Sequence, residues 1–146
     1  MQIAKGDRKL AKCVERREKK EWEAAHPFRV ETLYHGTSWN IAAGIMTQGF
    51  IPSTAGRLGQ GIYVAEYDKA RRFAQDKSWH GGAGGCALLE VKITFRNPKY
   101  VKSDDDTWQR QGFDACRADR TSMSRNMEWC VKNKSQVTVM GVERVT

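Results

Sequence analysis

Leu33-Tyr34-His35-Gly36-Thr37, followed by Gly59-Gln60-Gly61-Ile62-Tyr63-Val64-Ala65, decides how this chain is read. Each stretch is a short apolar, β-prone run that carries one chemically useful ring. His35 ends the first and Tyr63 sits inside the second. A glycine-rich loop lies just before the tyrosine, where backbone without side chains lets a ligand come close. A third run, Met127-Glu128-Trp129-Cys130-Val131, adds a carboxylate at its start.

Working outward, the spacing predicts a helix over residues 5 to 25, rich in Lys, Glu, Arg and Ala, with Glu15–Lys19 as a favourable i,i+4 pair. Its apolar face is thin (Leu10, Val14, Trp22), as for an arm, and Pro27 ends it. Phe28 to His35 reads as a strand, and Gly36-Thr37-Ser38 as a break and helix cap. A helix is expected over Asn40 to Gln48, stopped by Gly49. Gly56, Gly59 and Gly61 mark a flexible loop before the strand Ile62 to Ala65. Asp68 to Gln75 reads as a helix with an Asp cap, and His80 to Gly85 as a mobile loop. Alternation makes Ala87 to Phe95 a strand, closed by Pro98. Residues 102 to 126 look irregular. Met127 to Val131 and Gln136 to Val142 read as strands joined by a polar turn at Lys132 to Ser135. The expected class is α+β, with residues 1–27 a basic helical arm and 28–146 one folded domain.

Composition narrows the functional classes. The formal charge is +8 over 146 residues, which suits anionic partners such as dinucleotides, polyphosphates and nucleic acids. No apolar run approaches the ~20 residues that cross a bilayer, and the charged N-terminus lacks the apolar core of a secretory signal. An intracellular protein, cytoplasmic or nuclear, with no membrane contact is expected. Cys13, Cys86, Cys116 and Cys130 are widely spaced, without C-x-x-C or a nearby His pair. Reduced thiols and no metal site follow as expectations. Gly81 to Gly85 is not a phosphate loop, because no helix opening with Lys-Ser/Thr follows. The glycines at 56, 59 and 61 lead into a strand and so are not a dinucleotide fingerprint.

The quoted runs, with Lys-Ala-Arg-Arg-Phe-Ala (69–74), Gly-Phe-Asp-Ala-Cys (112–116) and Asn-Met-Glu-Trp-Cys-Val (126–131), occur in the order found in one family. Between Thr32 and Val142 the chain resembles the catalytic domain of poly(ADP-ribose) polymerases and their mono-ADP-ribosylating, diphtheria-toxin-like relatives. The resemblance implies a fold of two packed, mostly antiparallel sheets that form an NAD cleft. It also implies a His-Tyr-Glu set of His35, Tyr63 and Glu128. His35 would hold the adenosine ribose, and Gly36 would pin the nicotinamide carboxamide through its backbone. Thr37 and Gly61 would border the dinucleotide. Tyr63 would stack on the nicotinamide, with Phe73 as the second aromatic wall. Glu128 would bind the nicotinamide ribose and stabilise the transition state, and residues 52–60 would lie over the NAD. Ala70 stands where the family often has Ser, which removes a hydroxyl from the nicotinamide site.

That chemistry suits the residues. Cleaving NAD at the nicotinamide bond releases a leaving group that is already cationic, so the need is for negative charge near the developing oxocarbenium. NAD is then a co-substrate, and the expected activity transfers single ADP-ribose units to a macromolecular acceptor, protein or nucleic acid. The basic helix and the Arg110–Arg125 region are candidate nucleic-acid contacts. Two other readings stand beside it. One is a non-catalytic module that binds NAD, ADP-ribose or nucleic acid. The other is an RNA 2′-phosphotransferase, which shares the His-Gly-Thr strand but lacks the Gly-x-Gly-Ile-Tyr run.

Overall fold

A computed structural model describes residues 5–78, 84–119 and 127–145. Among them lie three α-helices and seven strands, an α+β architecture. In chain order these are α1 (Lys5–Ala25), β1 (Arg29–Ser38), α2 (Trp39–Gln48), β2 (Ile62–Ala65), α3 (Tyr67–Ser78), β3 (Cys86–Phe95), β4 (Pro98–Val101), β5 (Ala115–Asp119), β6 (Met127–Val131) and β7 (Val137–Val145). The strands join in the order β4-β5-β6-β2-β1-β3-β7, antiparallel throughout except for the parallel β4–β5 pair.

The strands are therefore hydrogen-bonded into one continuous sheet where two were expected. It narrows at its centre: β1 and β2 pair only at Tyr34 and Ala65. On one side, β1 and β3 pair along all ten residues of each. Buried residues from both sides of the narrowing share one core, which includes Leu33, Val91, Ile93 and Phe95 with Ile62, Val64, Trp129 and Val131. The Phe95 and Trp129 rings lie 4.7 Å apart, although two strands stand between theirs in the sheet. Neighbouring strands are about 4.8 Å apart, so the sheet must curl to bring these rings together.

Local chemistry explains most element ends. Ser38 caps α2, its Oγ accepting from Ile41 N at 3.2 Å, and the Gly49 N–H closes the helix on Ile45 O at 2.8 Å. The strand before it does not break at Gly36, however. It runs on through Thr37 and Ser38 because β3 pairs with it as far as Cys86. Asp68 lies inside the first turn of α3, which begins one residue earlier.

Other differences come from tertiary contacts. Pro98 opens β4 instead of closing a segment. The turn before it is held by the Asp114 carboxylate, which accepts from the N–H groups of Arg96 and Asn97 at 2.7 and 2.9 Å. β5 lies inside the stretch read as irregular. Its sequence, Ala-Cys-Arg-Ala-Asp, has none of the β-branched or aromatic residues that signal a strand, and its pairing with β4 and β6 supplies the order. β6 and β7 are not partners. A 3₁₀ turn at Lys134–Gln136 separates them, and β7 continues to Val145 at the far edge beside β3. Residues 80–83 of the glycine loop, Arg120 and Arg125 lie outside the described residues.

Candidate functional site

The narrowing of the sheet opens a cleft of about 890 Å³, within the roughly 300–1,000 Å³ range of small-molecule sites. Its walls come from β1, α2, the loop after α2, β2, α3 and β6. They bring together His35, Gly36, Gly61, Tyr63, Ala70, Phe73 and Glu128. Thr37 is not among them; it is 2% exposed and buried beside the wall.

His35 bridges the narrowing. Its Nδ1 lies 2.6 Å from the Tyr63 carbonyl oxygen, and a carbonyl can only accept, so Nδ1 carries the proton. One face of the ring packs edge-on to Phe50 at 5.1 Å between centroids. The side chain thus ties β1 to β2 one residue from their single backbone pair.

Tyr63 and Glu128 share one face of adjacent strands. Tyr63 pairs with Cys130, and Ala65 with Glu128, so the alternation of side chains turns Tyr63, Cys130 and Glu128 the same way. The Tyr63 hydroxyl accepts from Leu58 N at 3.0 Å and donates to the Gly59 carbonyl. Burial, with lesser contributions from Cys130 and Glu128, pushes the phenol well above its usual range, so it stays protonated at physiological pH. Burial likewise pushes the Cys130 thiol up, and it packs with Leu58, Trp108 and Cys116. Lys69, from α3, brings its Nζ to 3.9 Å from Glu128 Oε2.

Two glycines are required by close approach. A Cβ on Gly36 would collide with the carbonyl oxygen of Ala70 and stand 3.0 Å from the Ala74 Cβ. Only glycine lets α3 settle onto β1 at this depth. Gly61 has φ +152 and its Cβ would meet the Cys130 sulfur. The loop between these elements is fastened, although its glycines suggested flexibility. Ser53 and Gly61 exchange backbone hydrogen bonds at 2.8 and 3.1 Å. Leu58 is fully buried, and its carbonyl accepts from Trp108 Nε1 at 2.6 Å. Nearby, the Asp105 carboxyl is held down at about 2 by the Lys99 ammonium and by Thr107.

Ala70 is 3% exposed and packs with Ala74, Cys86 and Leu88. Phe73 is 51% exposed on the cleft rim. Asp114, within the motif at 112–116, serves the β3–β4 turn and not the cleft. Lys69 lay in a quoted motif, where a lysine on a charged helix gave no signal of its own. Trp108 had none, because its partner is a backbone carbonyl fifty residues away in sequence.

In the Arg110–Arg125 region, Arg110 is exposed but Arg117 has its Nε buried beside Trp129. The described part of that region is therefore not an outward basic cluster. Among the described residues, no helix is long and apolar enough to cross a membrane, and no group of three or more His, Cys, Asp or Glu gathers as a metal set. No protein-family model matches the chain, and no curated protein matches its sequence.

Proposed function

We propose that this protein is an NAD-dependent ADP-ribosyltransferase on the fold of that name, transferring single ADP-ribose units to a macromolecular acceptor. One observation carries the reading. His35, Tyr63 and Glu128, far apart in sequence, meet on one cleft at the narrowing of the sheet. Support for the fold comes from the same place, since two half-sheets joined at a single residue pair leave a slot between them.

The residues fit a dinucleotide. With Nδ1 committed to Tyr63, His35 uses Nε2 toward a ribose hydroxyl. Tyr63 and Phe73 offer the aromatic surface for the nicotinamide ring, and the Gly36 and Gly61 backbone lies in the cleft wall. In the reaction the bond between nicotinamide nitrogen and ribose C1′ breaks, and its electron pair leaves with nicotinamide. The Glu128 carboxylate stabilises the positive charge left on the ribose. Lys69 stands 3.9 Å from that carboxylate. A nucleophile on the acceptor then bonds to C1′ and gives up its proton. The Tyr63 phenol, kept protonated, orients and excludes water without exchanging a proton.

The test is incubation with NAD labelled in its adenylate part, measuring nicotinamide release and label transfer for wild type, Glu128→Ala and Glu128→Gln. Turnover by wild type, lost in both variants, supports the reading. NAD bound without turnover by all three would favour a binding module, and no binding at all would remove NAD from consideration.

A further inference from the structure

We propose that α1 docks on the phosphate backbone of double-stranded nucleic acid through a stripe of cations along one side. From Cys13 to Trp22 every residue of α1 is exposed, and the helix meets the domain near its end, where Glu23 approaches Arg96 at 4.0 Å. The charges along it are sorted. The Lys and Arg positions at 5, 8, 9, 12, 16, 19 and 20 recur at three- and four-residue steps. At about 100° per residue they fall within roughly 120° of arc. Asp7, Glu15, Glu18 and Glu21 take the remaining side. Arg17 lies off the stripe, and Glu23 interrupts it only where the helix reaches the domain.

Sorting of this kind opposes helix formation. It sets like charges at i and i+4 four times over, at 5–9, 8–12, 12–16 and 16–20, against opposite charges at 15–19, 17–21 and 19–23, and each like pair weakens an isolated helix. A helix that needed only solubility does better with the signs interspersed. An external row of anions relieves the repulsion. The stripe from 5 to 20 is a straight rod of about 22 Å at 1.5 Å per residue. Duplex nucleic acid offers rigid rows of phosphates, in DNA about one charge per 1.7 Å of axis over both strands, and a DNA major groove that admits a helix.

A bilayer fits less well. Val14 and Trp22, 44% and 43% exposed, share their side of the helix with Glu15, Glu18 and Glu21, so the thin apolar face carries charges that resist sinking into lipid.

The experiment needs no NAD, so its outcome is separate from that of the transferase reading. Fluorescence anisotropy of the full chain with labelled duplexes of about 20 base pairs, one RNA and one DNA, is followed across salt concentration. Three chains are compared: wild type, Arg16→Gln/Lys19→Gln/Lys20→Gln, and a control, Lys92→Gln/Lys102→Gln/Lys132→Gln, with the same charge removed from exposed positions elsewhere. Glutamine keeps helix propensity, and circular dichroism checks that α1 persists. Wild type is expected to bind at least one duplex with affinity falling linearly in log salt. The α1 variant should bind at least about tenfold more weakly at ~0.1 M salt, its slope shallower by roughly 3, and the control should stay within about threefold of wild type. The proposal is overturned by equal weakening in the control or by no duplex binding at low salt. Tighter binding to phosphatidylserine vesicles or poly-glutamate than to either duplex also overturns it.

Discussion

The two halves of the sheet are built differently. β1, β3 and β7 are nine or ten residues long and pair along nearly their whole length. β4, β5, β6 and β2 have four or five residues each. The long half is a scaffold that its own ladders stabilise. The short half carries Tyr63 and Glu128, and is held by side chains that reach into it from elsewhere: His35 from β1, Lys69 from α3, Trp108 from the loop after β4. Precision in the cleft thus depends on a few tertiary contacts across the narrowing, while the buried core is shared by both halves.

Changes that break this comparison can be ranked. The largest effect is on chemistry alone. Glu128→Gln, isosteric and partly exposed, should lower nicotinamide release by about 10²–10³-fold with little change in melting temperature, as read by steady-state rates beside calorimetry. Gly36→Ala should do the reverse of sparing stability. Its methyl meets the Ala70 carbonyl, and forcing α3 off β1 should cost about 1–3 kcal/mol, a fall of several degrees in Tm.

His35→Ala tests the seam. Losing the bond to the Tyr63 carbonyl should cost about 1–2 kcal/mol, and hydrogen exchange should quicken in β2 and β6 while β3 keeps its protection. Uniform acceleration would show that the halves open together. Tyr63→Phe sharpens the point further. It removes the hydroxyl that binds Leu58 N and the Gly59 carbonyl, so the loop at 56–59 should exchange faster at a cost of about 1 kcal/mol, with the aromatic wall retained.

The smallest effect is in acid. A carboxyl whose folded pKa is depressed contributes stability above its unfolded value and loses it as pH falls through the folded one. For Asp105 that window runs from its ordinary 3.8 down to about 2. Stability of the wild type should fall there by about 1 kcal/mol more than that of Asp105→Asn, allowing for solvent screening, as read by denaturant melts at pH 2 to 5.

Much of the cleft was legible because its residues sit in strongly patterned local runs. His35, Tyr63 and Glu128 each lie in a short β-prone run, and all three line the cleft wall. Thr37 was expected to border the site from the family resemblance, but pairing with β3 carried the strand past it and buried it. β5 escaped notice because small residues form a strand only when neighbours supply the ladder.

By itself the sequence determined the elements whose signal is local: the α1 arm with its sorted charges, the Ser38 cap and Gly49 stop, and the alternating strand of β3. The tertiary structure alone decided which strands meet. It separated β6 from β7, fastened the loop through Trp108, and set Lys69 beside Glu128. The physical reason is that caps and periodicity act over a few residues, whereas pairing and convergence depend on contacts between segments that carry no mark of each other in sequence.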